Sequence, residues 1–180
     1  MKGMVFREFL NLVESKFGED TVDDVIEAAE LASGGSYTSV GTYDHGEMVA
    51  LVVELSKQVD LPVVDLLHAF ARHLIAFFAE SHPHFFAEAG DVFTFIENVH
   101  EHIHVEVRKL YPQAELPHLR AERLEPDGLD VRYRSARNFE DLAHGLMLAA
   151  GEYFGEPLDI VMDKLSDGGG VRFQVTRRAA

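Results

Sequence analysis

Apolar side chains recur at helical spacing through Val5, Phe6, Phe9, Leu10, Leu12, Val13 and Phe17, and Gly18 stops the run. That spacing predicts a first helix over Val5 to Phe17, and a second follows from Thr21 to Leu31. The stretch from Ser33 to Asp44 is too rich in Gly and Ser for a helix and reads as an ordered loop. Two more helices, Glu47 to Val59 and Val63 to Phe78, are parted where Asp60-Leu61-Pro62 breaks the chain. After Ser81-His82-Pro83-His84 another helix begins near Asp91. It carries Phe95, Ile96, Val99, Ile103, Val107 and Leu110 on one side and ends at Tyr111-Pro112.

From Pro117 onward the texture changes. Leu119 to Leu124 and Leu129 to Arg137 flank Glu125-Pro126-Asp127-Gly128, and a Pro-Asp-Gly turn between alternating runs predicts a hairpin. Phe139 to Phe154 returns to helical spacing. Leu158 to Leu165 and Val171 to Thr176 surround Ser166-Asp167-Gly168-Gly169-Gly170, a second hairpin signal, and Arg177 to Ala180 reads as a frayed tail. Helices first, then two hairpins with a helix between them, point to an α+β fold with an antiparallel sheet and an N-terminal helical layer.

Composition narrows the chemistry. A chain of 180 residues with 47% hydrophobic content makes one domain, or two fused subdomains, large enough to enclose a cofactor. The net charge of −15 argues against nucleic acid and an anionic membrane surface as partners. With no cysteine, disulfides, thiolate catalysis, cysteine-bound zinc and iron–sulfur clusters are excluded, so a metal must be held by His or carboxylate. No segment is apolar for eighteen residues and the N-terminus lacks a signal-peptide core, so a cytoplasmic protein is expected. Thirteen Phe and no Trp suit an apolar wall around a planar group, although Phe is equally a core residue.

Two groups of residues carry candidate chemistry. In an extended strand Tyr133, Ser135 and Arg137 would share a face, and two hydroxyls beside a guanidinium fork suit a clustered anion. The bland alternative is a solvated edge strand, and Arg132 and Arg134 on the other face show that composition does not choose. His104 lies on a predicted helix, where a single His is most often structural. His100 sits one turn away and could join it on a metal ion, whereas His102 points elsewhere. The Ser36 to Asp44 loop lacks the lysine and spacing of a nucleotide-phosphate loop.

The chain resembles the H-NOX family of haem nitric oxide/oxygen-binding domains, related to the haem domain of soluble guanylate cyclase. The resemblance rests on the Met1-Lys2-Gly3 opening, Tyr37-Thr38-Ser39-Val40-Gly41-Thr42-Tyr43, the His104 to Pro112 segment, Pro117, and the Tyr-x-Ser-x-Arg motif at Tyr133, Ser135 and Arg137. It implies a single domain over 1–180, with a helical distal subdomain to about residue 62, a proximal helix-and-sheet subdomain from about 63, and haem b (iron protoporphyrin IX) between them. It also implies that His104 is the proximal iron ligand, that Tyr133, Ser135 and Arg137 hold the propionates, and that Pro117 presses on the macrocycle. The family's cysteine-ligated zinc site, found in some members, cannot exist here. A gas sensor is implied rather than an enzyme.

Ligand choice depends on the distal residues. Bound oxygen gains from a hydrogen-bond donor, and nitric oxide and carbon monoxide need one far less. Oxygen-binding members place a tyrosine at the position that Leu142 holds here. Val5, Phe9, Leu74, Phe78, Leu142 and Leu146, the expected cofactor neighbours, are all apolar. Tyr153 lies about 16 Å along the helix from Leu142, and His144 points away from it. Nitric oxide is therefore the expected ligand, with carbon monoxide binding in vitro; an oxygen-binding haem protein or haem enzyme is the alternative. By the resemblance, nitric oxide weakens the iron–His104 bond, and the freed helix and the haem relax against Pro117. Since the chain ends near Ala180, the output is expected to pass to a separate histidine kinase or cyclic-di-GMP enzyme.

Overall fold

The computed structural model describes residues 1–112, 114–124, 127–166 and 168–178. The predicted turn residues Glu125, Pro126 and Asp167 and the tail residues Ala179 and Ala180 lie outside the described residues. The elements run α1 (Gly3–Phe17), α2 (Glu19–Ala28), α3 (His45–Val59), α4 (Val63–Ser81), α5 (Pro83–Ala89), α6 (Val92–Asn98), a π turn (Val99–Ile103) and α7 (His104–Leu110). They continue with β1 (His118–Leu124), β2 (Gly128–Arg134), α8 (Glu140–Phe154), β3 (Leu158–Lys164) and β4 (Val171–Arg177). The chain forms two compact units, Met1–His73 and Leu74–Ala180, and the division falls inside α4.

In the first unit α1 buries Phe6, Phe9, Leu12 and Val13, the stripe that its spacing predicts. Phe6 stacks on Tyr37 with ring centroids 4.3 Å apart, and Phe9 meets Phe70 edge to face at 5.2 Å. The 33–44 loop is ordered because the start of α1 binds it. Gly3 N–H donates to the Gly41 carbonyl at 3.0 Å, Tyr43 N–H donates to the Met1 carbonyl at 2.9 Å, and Lys2 bridges Thr42. A Cβ at Gly3 would stand 2.0 Å from the Thr38 oxygen, so this close approach requires glycine. Glu47 of α3 accepts from the Ser33 and Tyr37 hydroxyls and fastens the other end of the loop.

In the second unit both predicted hairpins form one four-stranded antiparallel sheet, ordered β1-β2-β4-β3. Leu124 pairs with Gly128 across the first turn and Lys164 with Val171 across the second. Leu129, Val131, Tyr133, Val171, Phe173 and Val175 face inward and pack against Phe93, Phe95, Ile96 and, from α8, Met147, Ala149 and Ala150. Burying a side chain of this size contributes about 1.5–3 kcal/mol, so this shared layer is what holds the helices to the sheet.

The structure corrects four expectations, the first being the frayed tail: Arg177 closes β4 in register with Leu158 and binds Glu156, and Arg178 binds Asp159. Helix α5, opened by Pro83 at its first turn, occupies a stretch read only as a break. The expected continuous helix from Asp91 to Tyr111 is interrupted by the π turn, whose i→i−5 bonding widens the helix just before His104. Strand β2 ends at Arg134, so Ser135 and Arg137 are not on a strand. The Ser135 Oγ accepts the Arg137 N–H at 3.2 Å, and Asn138 takes a left-handed backbone with φ of 52°, which turns the chain away from the ladder.

Candidate functional site

His104 opens α7, and its own N–H donates back to the Val99 carbonyl, closing the π turn. Its Nδ1 is buried without a hydrogen-bond partner. Burial, aided by the nearby positive potential of His100 and Arg108 and opposed by the Pro117 carbonyl, brings its pKa down to about 4. The imidazole is therefore neutral at pH 7, the only form in which its nitrogens can bind a metal. No residue of α7 is fully buried, so His104 is set in place from a helix with little core of its own.

Pro117 is half-buried, and its carbonyl acts on both His100 and His104. His100 is half-buried, with Nδ1 accepting from the Leu119 N–H at 3.5 Å and its ring 4.5 Å from that of His118. His102 is exposed, and among the described residues no group of three or more His, Cys, Asp or Glu side chains could hold a metal ion.

Tyr133, Ser135 and Arg137 come together at the end of β2 even though the last two have left the strand. Tyr133 is 5% exposed. Burial raises its pKa, and the hydroxyl of Ser135 and the charge of Arg137 act the other way. The Arg137 side chain is 15% exposed and donates from Nη2 to the Glu115 Oε2 at 3.1 Å. This fork thus already takes a carboxylate, the group that a porphyrin side chain would present. Glu115 lies two residues before Pro117, so one short segment joins the His104 neighbourhood to the Arg137 turn.

The remaining predicted residues are apolar and mostly covered. Phe9 is fully buried and Val5 half-buried in the first unit. In the second, Leu74 is 3% and Leu142 8% exposed, and Phe78 and Leu146 pack at the edge of its core. Two rings of α8 that carry a polar atom, His144 and Tyr153, are engaged elsewhere. His144 stacks on Phe173 at 6.2 Å, and Tyr153 meets Phe86 at 4.8 Å. The donor set fits haem: a neutral, partly buried imidazole for iron and a guanidinium with two hydroxyls for carboxylates.

A family model for haem-NO-binding domains matches residues 2–162. The structure is similar to the Fe(II) unliganded H-NOX protein from K. algicida at TM-score 0.91 and 39% identity, over 100% of this chain and 98% of that one. It is similar to the H-NOX from Shewanella woodyi, bound to IWP-051 in the Fe(II)CO state, at TM-score 0.85 and 40% identity, over 99% of this chain and 95% of that one. The S. oneidensis H-NOX protein in its Fe(II)NO state shares the fold at TM-score 0.89 and 24% identity, over 99% of this chain and 100% of that one. A search of the curated proteins found no match. The match over nearly the whole chain, together with the two relatives near 40% identity, means that this chain belongs to the haem-NO-binding, or H-NOX, family of haem-binding gas-sensor domains.

Proposed function

We propose that this chain is a cytoplasmic haem-based nitric oxide sensor. His104 is the iron ligand, Tyr133, Ser135 and Arg137 hold the propionates, Pro117 bears on the macrocycle, and Val5, Phe9, Leu74, Phe78, Leu142 and Leu146 line the cofactor. The observation that carries this reading is the neutral imidazole of His104, whose buried Nδ1 has no partner in a chain whose family binds haem.

When bound, ferrous haem supplies an iron atom that takes up a diatomic gas. The side chains decide which gas is held. Phe9, Leu74 and Leu142 offer no donor to a polarised oxygen molecule, while His144 and Tyr153 pack against Phe173 and Phe86. This absence of a donor favours nitric oxide over oxygen, with carbon monoxide as an in vitro ligand; the Fe(II)CO state of the Shewanella woodyi relative supports the latter. Helix α7, with no fully buried residue and a π turn at its start, is the element that can shift when the restraint on His104 changes. That shift is read by a separate signalling protein, a histidine kinase or a cyclic-di-GMP enzyme.

The test is the absorbance of the ferrous protein under nitric oxide and in air. A stable nitric oxide complex and no oxy spectrum are expected. An oxy complex that persists in air would contradict the assignment.

A further inference from the structure

The Arg137 guanidinium and the Glu115 carboxylate form an ion pair of unequal partners. The Arg137 side chain is 15% exposed and Glu115 is 85% exposed, with 3.1 Å between Nη2 and Oε2. The arginine is held by its turn, where its backbone N–H bonds Ser135 Oγ at 3.2 Å. The glutamate reaches in from the segment between α7 and β1. A pair with one solvated member is weak, since water competes for the carboxylate and its rotamer freedom is lost on binding.

We infer that Glu115 is an internal carboxylate placeholder: it occupies the Arg137 fork when no propionate does, and it must leave when haem binds. This rests on the proposed role of Arg137 as a propionate ligand. Glu115 lies two residues before Pro117, in the segment between α7 and β1. Glu115 is a positioning residue here, not a cofactor ligand.

Placeholder and scaffold roles predict opposite signs. Removing a competitor strengthens haem binding, whereas removing a structural support weakens it. Glu115→Gln keeps the size and solubility of the side chain and loses only the charge. Holo-protein is mixed with an apo-globin acceptor, and the haem partition at equilibrium is read from the Soret region for the wild type, Glu115→Gln, Arg137→Ala and the double variant. Glu115→Gln is expected to retain haem about two- to fivefold better than wild type, the range for an exposed ion pair. Arg137→Ala is expected to retain it less well, and adding Glu115→Gln to Arg137→Ala should change nothing further. Equal or poorer retention in Glu115→Gln, with Arg137→Ala impaired, would overturn the placeholder alone. Wild-type retention in Arg137→Ala would overturn the propionate assignment and the placeholder with it. A gain from Glu115→Gln that persists undiminished in the Arg137→Ala background would also overturn it, because the gain would not pass through Arg137.

Discussion

The imidazole rings of His100, within the π turn, and His104, at the start of α7, stand 6.0 Å apart and nearly perpendicular, at 79°. Their roles differ despite this closeness. His104 keeps a buried nitrogen without a partner, while His100 accepts from Leu119 N–H and lies against His118. His100→Ala should therefore keep a wild-type ratio of haem to protein, measured by the pyridine haemochrome assay. Loss of haem on the scale of a His104 variant would mean that the two rings act together on one metal.

Arg137→Ala should weaken haem retention more than Ser135→Ala. The first removes a charge-assisted fork, which contributes about 1.5–3 kcal/mol, and the second a neutral donor worth about 0.5–1.5 kcal/mol. Arg137→Lys should recover little of the loss because an ammonium lacks the planar fork. Haem transfer rates to an apo-globin would rank the three. Wild-type rates in all of them would mean that this turn faces only water.

Much of the fold is legible in the sequence because apolar spacing records burial. The stripe of α1 and the two hairpins follow directly from residue order, and α8 begins and ends where its apolar run does. Local exceptions are less visible. Val99 and Ile103 are apolar at a spacing that an ordinary helix also allows, so nothing marks the π turn between them. Alternation carries β2 on through Ser135 to Arg137, but a hydroxyl that binds its own backbone ends the strand at Arg134. The site's chemistry was legible through Tyr133, Ser135, Arg137 and His104. Glu115 was not, since a single exposed carboxylate in a loop has no period and its partner is 22 residues away. Helix α5 did carry a start signal, Pro83 at its first turn, but seven residues are too few for a clear stripe.

Asp91 caps α6, accepting from the Phe93 and Thr94 N–H groups at 3.0 and 3.1 Å and from Arg177 at 3.1 Å. Arg177 also binds Glu156 and Asp127 and lies 4.1 Å over the Phe93 ring. Burial pushes the Asp91 pKa up, but the hydrogen bonds from Thr94 and Phe93 and the charge of Arg123 outweigh it, and the net shift is downward from 3.8. A depressed carboxyl pKa stabilises the fold above its unfolded value, and that contribution is lost as the pH falls through the folded one. Asp91→Ala should cost about 1–2 kcal/mol in urea unfolding at pH 7, with the difference from wild type shrinking below pH 3.8. An equal difference at both pH values would mean that the carboxylate charge is not involved.

Leu142→Tyr should move the protein toward oxygen binding by adding a phenol donor where the wild type has an apolar side chain that is 8% exposed. One hydrogen bond to polarised oxygen contributes on the order of 1–3 kcal/mol, about five- to a hundredfold in affinity. An oxy spectrum in the variant and none in the wild type, recorded on the ferrous proteins in air, is the expected outcome. The same oxy spectrum in both would show that Leu142 does not set the choice of gas.

Haem content and the ferrous spectrum of His104 variants decide whether this imidazole binds the iron. His104→Ala, expressed without added imidazole, should lose most of its haem, while His104→Gly, supplied with imidazole during expression, should still yield haem protein. A His104→Ala protein with full haem content and an unchanged ferrous spectrum would mean that another group holds the iron.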